Sequence, residues 1–205
     1  MILDLSAVTD NLIDLVKNSW STAPIWTELG SSTPTFTPTF SGLAPDAIRD
    51  GSGPQLSLFL YHVESDVAQE SNFWTSQMVR SPAQAVSYLP LALDLYYLLN
   101  AYSETSYAEE QQAMSVALRL FHANAVVRSD SSPTPAWTLT LTMEHRSYDE
   151  LSRLWQATTA PLRLGVVYRA AVLFLTPDDP VAAAKNVETV RTTVNDGDVV
   201  IVTSP

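Results

Sequence analysis

The chain contains no cysteine. A disulfide framework, a thiol nucleophile and a thiolate metal site are therefore excluded, while the compartment is left open. Positive charge is scarce. The chain has 11 Lys and Arg against 22 Asp and Glu, a formal net charge of -11. This balance argues against nucleic acid as a partner, because phosphate binding needs clustered Lys and Arg. An anionic membrane surface is disfavoured for the same reason. No apolar run is long enough to span a bilayer. The opening residues, MILDLSAVTDNLIDLVK, have no basic leader before an apolar block, so no secretory signal is expected. Catalytic fingerprints are missing too: there is no G-x-G-x-x-G, P-loop, H-E-x-x-H or G-x-S-x-G.

What is present suits an ordinary globule. With 205 residues, 46% of them hydrophobic, the chain fits one domain, or one domain with an arm, and can bury a core without staples. The stretch from Ser147 to Thr176 organises it. Ser147 and Glu150 have the S-x-x-E spacing of a capping box, and Leu151, Leu154 and Trp155 follow at helical spacing. Pro161 ends any helix still running. From Leu162 the period changes to two. Leu162, Leu164, Val166, Tyr168, Ala170, Val172 and Phe174 share one face, and Arg163, Gly165, Val167, Arg169, Ala171, Leu173 and Leu175 share the other. A strand of this length is expected to be central to a sheet for part of its course.

The other segments read in order as follows. Residues 4–20 form an amphipathic helix, with Leu5, Val8, Leu12, Leu15 and Val16 on one side. Residues 21–54 are rich in Ser, Thr, Pro and Gly, and TPTF occurs twice, at 33–36 and 37–40. This stretch reads as an extended segment or edge strand, with Phe36 and Phe40 available to plug a neighbouring groove. Residues 55–63, QLSLFLYHV, read as a strand buried on both sides, and 64–88 as a long polar loop with or without a partial strand. Residues 89–102 suit a helix or a strand, but alternation of Leu91, Leu93, Leu95, Tyr97, Leu99 and Ala101 favours the strand. Residues 106–124 are the best helix, and 137–143 are an alternating strand with Leu139, Leu141 and Met143 inward. Val187–Val194 and Val199–Val202, joined by Asn195-Asp196-Gly197, read as a terminal hairpin. The expected fold class is α+β, with a mixed, mainly antiparallel sheet flanked by helices, over 1–177, and a C-terminal arm or hairpin over 178–205.

Candidate site residues are few. His62, His122 and His145 have no metal-ligand spacing and read as structural or surface histidines. Asp178, Asp179, Asp196 and Asp198 read as solvated turn acids before a hard-cation site. No metal, cofactor or catalytic residue is expected. Interaction candidates are the aromatic pair Phe73 and Trp74, which either anchors an interface or packs back on the domain. Arg163 and Arg169, six residues apart, are either a solvent-facing charge at a strand start plus one paired arginine, or ion-pair partners of a neighbouring subunit. Val199, Val200, Ile201 and Val202 give the terminal hairpin an apolar, edge-like strand.

Several segments together resemble one family. Leu58-Phe59-Leu60-Tyr61-His62-Val63-Glu64, with Asn72 after it, resembles one of its strands. Leu89-Pro90-Leu91 through Tyr102, the helix over Glu109–His122, Leu151-x-x-Leu154-Trp155 and Leu162-Arg163-Leu164-x-Val166-x-Tyr168 follow in the family's order. These are the cap or tail-terminator proteins of extracellular contractile injection systems, and the resemblance covers roughly residues 1–177. Two positions depart from the pattern: Leu89 stands where a first proline is expected, and Gly165 at a serine-like position. The resemblance implies a non-enzymatic, tail-terminator-like protein. It would form a ring with itself, expected to be a hexamer, at the distal end of inner tube and sheath, where it stops polymerisation and stabilises the extended sheath. It also implies assembly in the cytoplasm into a phage-tail-like particle, released or membrane-tethered. Two other classes remain open: a baseplate or tube connector, or assembly chaperone, of the same particle, and a small hydrolase using the scattered histidines.

Overall fold

The computed structural model describes residues 4–28, 30, 34–47, 53–66, 91–129, 137–174, 190–195 and 198–203, the last two ranges by their backbone. Helix α1, Leu5–Ser19, starts where Asp4 accepts hydrogen bonds from the Ser6 and Ala7 amides, and Lys17 lies in its last turn. Val8, Leu12 and Val16, four residues apart, are buried on one stripe. A short helix α2, Pro24–Glu28, follows. Its Trp26 packs edge-on against Trp20 and Phe36. Trp20 in turn meets Phe36 and Phe40. Both indoles are satisfied: the Trp26 N–H donates to the Trp20 carbonyl at 2.7 Å, and the Trp20 N–H to the Phe36 carbonyl at 3.0 Å. The tandem aromatics therefore plug a groove of their own chain.

One six-stranded sheet forms the centre. Its strands are β1 (Thr39–Ser41), β2 (Gln55–Ser65), β3 (Leu91–Tyr102), β4 (Val126–Arg128), β5 (Trp137–Glu144) and β6 (Gly165–Phe174), in spatial order β1-β2-β3-β6-β5-β4. Only β1 and β2 run parallel; the other neighbours are antiparallel. The sheet is thus mixed and mainly antiparallel, and β6 lies centrally between β3 and β5 as its length suggested. Helix α3, Tyr107–Ala123, is capped by Ser106 and packs with α1 on one face. That face holds the large core, including Leu95, Tyr97 and Leu99 of β3, Leu139 and Leu141 of β5, and Tyr168, Ala170, Val172 and Phe174 of β6. Helix α4, Tyr148–Ala157, serves a second, smaller core, where buried Trp155 meets Leu98 and Val167.

Some expectations need correction. Strand β6 begins at Gly165, not Leu162; Leu162 and Leu164 lie before it and are 46% and 37% exposed. Met143 lies opposite Tyr168, on the large-core face, but is 61% exposed. The neighbouring strand β4 reaches only Thr140, so on its outer side, away from β6, this end of β5 has no described strand beside it. Strand β2 is buried at Leu56, Ser57 and Leu58 but exposed from His62 to Ser65. The reason is the shortness of β1, which covers only Gln55–Ser57. Helix α2, strand β4 and a short turn of 3-10 helix at Pro45–Ala47 had no expectation attached to them. The aromatic pair Phe73 and Trp74, and most of the 64–88 loop, lie outside the described residues. A separate two-stranded antiparallel sheet joins β7 (Val190–Asn195) and β8 (Asp198–Thr203).

Candidate functional site

Among the described residues, a recess lies on the α4 face. A register shift creates it: Leu60 pairs with Tyr97, then His62 pairs with Tyr96, and Tyr61 is left over as a bulge. Both Tyr61 and His62 therefore reach the Tyr96 ring, at centroid distances of 6.4 and 5.5 Å. Helix α4 closes the other side. Its capping box is complete: the Ser147 hydroxyl accepts from the Glu150 amide, and the Glu150 carboxylate accepts from the Ser147 amide at 2.9 Å. This start places the Arg146 guanidinium 5.5 Å from the Tyr96 ring centroid and 3.9 Å from the Glu150 carboxylate. The resulting cleft encloses about 440 Å³. Leu151, Leu154 and Val167 make its floor, Tyr61, His62 and Tyr96 its wall, and Glu64, Arg146 and Glu150 its rim.

The electrostatics follow from these contacts. Burial pushes the Tyr61 phenol up, against the opposing pull of Arg146, and burial also raises Tyr96, helped by Asp94. Hydrogen bonds from the Ser147 amide and hydroxyl hold the Glu150 carboxyl below its ordinary range. The arrangement offers an apolar floor, stacking surfaces and an acidic rim. It can hold an extended or apolar side chain with a cation beside it.

Arg169 and Arg163 are not brought together. Arg169 bridges two carboxylates of its own chain, Asp94 at 3.3 Å and Glu144 at 3.2 Å. Burial raises the Asp94 carboxyl, more than Arg169 lowers it. Burial works against the Arg169 cation, but Asp94 and Glu144 outweigh it and raise its pKa. Arg163 precedes β6, and its guanidinium stacks over the Tyr102 ring at 3.6 Å. Val199, Val200, Ile201 and Val202 form the middle of β8. His62 lines the cleft, whereas His122 and His145 are exposed and do not line it. Among the described residues no group of three or more His, Asp or Glu could hold a metal ion. No helix among them is long and apolar enough to cross a membrane.

The cleft residues Tyr61, Tyr96 and Arg146 were not anticipated. The bulge that gathers them depends on pairing between distant strands, and it has no glycine to signal it.

Comparison with known proteins bears on this geometry. The chain is similar to the PVC sheath/tube terminator of an extracellular contractile injection system, solved in its extended state. That likeness has 16% identity and a TM-score of 0.56, and covers 97% of this chain and 65% of the other. It is also similar to the cap of the anti-feeding prophage, described as a tube terminating cap. Here identity is 16%, the TM-score 0.50, and coverage 87% of this chain and 60% of the other. The chain therefore spans less than two thirds of the length of either solved structure. No curated protein matches it by sequence. The family described as the Pvc16 N-terminal domain matches residues 7–189, so most of the chain is accounted for, and the chain belongs to that family.

Proposed function

We propose that this chain is a structural cap of a contractile injection system, and that it does no chemistry. Copies of it form a hexameric ring on the distal end of the inner tube and sheath. The ring offers the tube a matching surface below and none above, so polymerisation stops, and it holds the sheath extended. Assembly takes place in the cytoplasm, and the ring becomes part of a phage-tail-like particle. The observation that carries this reading is the fold likeness to a sheath/tube terminator, which spans 97% of the chain, within a family match over residues 7–189.

The geometry supports the same role. Both edges of the six-stranded sheet end in strands of three residues, β1 and β4, and short edge strands limit indiscriminate pairing. The β7–β8 hairpin adds two further edges, and β8 carries Val199, Val200, Ile201 and Val202. This strand is the proposed contact with sheath arms, by β-augmentation. Arg163, flanked by exposed Leu162 and Leu164, is a second proposed contact, and Phe73 and Trp74 a third. The domain boundary near 177 belongs to the same proposal.

Electron microscopy of particles assembled with and without the chain tests the reading. Uniform capped particles with it, and overlong, frayed or unsheathed tubes without it, are expected. Unchanged tubes in both samples would overturn the cap role. Loss of tube initiation at the opposite end would point to a connector instead.

A further inference from the structure

Two independent features meet on β2. Strand β1 covers only Gln55–Ser57, and Gly42 then sits beside the Leu58 carbonyl. From Phe59 to Ser65 no described residue pairs with the outer side of β2, while its inner side pairs with β3. The same stretch contributes Tyr61, His62 and Glu64 to the cleft against α4. A ladder edge that no described strand takes, beside a side-chain recess, is the arrangement that accepts an added strand: the backbone supplies hydrogen bonds, and the recess takes alternate side chains.

The rim and the overall charge narrow the occupant. Glu64 and Glu150 expose about 61% and 56% of their side chains, and the chain carries a net charge of -11. An acidic strand would be repelled there. Strand β7 fits: its sequence, VRTTVN, has β-branched residues and one charge, Arg191. Among the described residues β7 pairs only with β8, and an isolated two-stranded hairpin is marginally stable until a third strand joins it. We propose that the outer edge of β2, with its cleft, receives β7 from a second copy of this chain. Donor and acceptor are different surfaces, so the contact is heterologous and propagates around a ring. This inference rests on the ring-forming cap reading. It leaves the outer edge of β8 for the sheath.

The absence of native cysteine allows a direct test on the full chain. Glu64→Cys protein is mixed with Arg191→Cys protein bearing a mass tag, oxidised, and run on a denaturing gel without reductant. A disulfide-linked pair of tagged and untagged chains is expected. None is expected when Ser115→Cys, exposed on α3 across the sheet, replaces Glu64→Cys. His62→Cys, on the same face of β2 as Glu64 and also lining the cleft, serves as a second acceptor variant if the first folds poorly. Three results each overturn the proposal: no linked pair with either acceptor, linkage equal to the control, or a Glu64→Cys/Arg191→Cys double variant that closes only within one chain on dilution. The gel reads contact between copies alone, whereas particle morphology reads capping, so the two readings fail separately.

Discussion

The contact between Trp155 and Gly165 is the most informative place to perturb the fold. Trp155 is 1% exposed and forms the small core with Leu98 and Val167. A Cβ at Gly165 would lie 3.1 Å from Trp155 Cζ2, 3.3 Å from Leu98 Cδ1 and 3.4 Å from the Leu99 carbonyl oxygen. One neighbour is a rigid ring and another is backbone, so neither yields easily. Gly165→Ala is therefore an overpacking change of about 1–3 kcal/mol. Reduced freedom of the unfolded chain offsets roughly 0.4–1 kcal/mol of that. Trp155→Ala removes the ring and leaves a cavity, at about 3–5 kcal/mol. In the double variant the added methyl enters that cavity. The two costs then fail to add, with a coupling of at least about 1 kcal/mol in the favourable direction. Urea unfolding with an unchanged slope measures all three variants. If Gly165→Ala is neutral, or the double variant equals the sum within about 0.5 kcal/mol, the packing argument is wrong. Trp155→Phe adds a further check. The indole N–H is buried without a partner among the described residues, a state that costs about 1–3 kcal/mol, so Phe is expected to lose less than half of what Ala loses.

Ser147→Ala removes the hydroxyl half of the capping box and should cost about 1 kcal/mol in thermal unfolding. It should also weaken the acid limb of stability in part, because the Ser147 amide, which remains, is the larger of the two donors to Glu150. Glu150 has a folded pKa below its usual 4.5, so its contribution is present above that value and is lost as pH falls through the folded one. An unchanged acid limb would contradict this. Arg169→Ala leaves Asp94, 8% exposed, without its cation; a loss of about 2 kcal/mol is expected, discounted for the partial exposure of Arg169, with Arg169→Lys recovering part of it. A stable Arg169→Ala protein that fails only in assembly would mean that the arginine serves a partner. Phe36→Ala strips edge contacts from both Trp20 and Trp26 and should cost about 2–3 kcal/mol, below a full core Phe because the ring is only half-buried. Indole fluorescence should shift toward that of exposed tryptophan.

Periodicity and local chemistry carried much of the architecture. The stripe of Val8, Leu12 and Val16, the Ser147–Glu150 box and the alternation of β5 each depend on residues a few positions apart, so the chain states them directly. Strand β3 was legible for the same reason, although leucine also suits helices. The resemblance to terminator proteins was likewise carried by the order of local segments. Long-range pairing was not stated locally. No short window shows that β6 inserts between β3 and β5, or that β1 runs parallel to β2 and stops after three residues. Exposure of His62–Ser65 and Met143 follows from where neighbouring strands end, a property of other segments. The cleft depends on this too, since an unpaired Tyr61 and a helix crossing the opposite face bring Tyr61, Tyr96 and Arg146 together from three separate parts of the chain. The sequence by itself determined the helices, most strands and the class of the fold, because those rest on near neighbours. Only the tertiary structure decided strand order, the point where β1 stops along β2 and the recess beside β2, because those rest on which distant segments meet and where each contact stops.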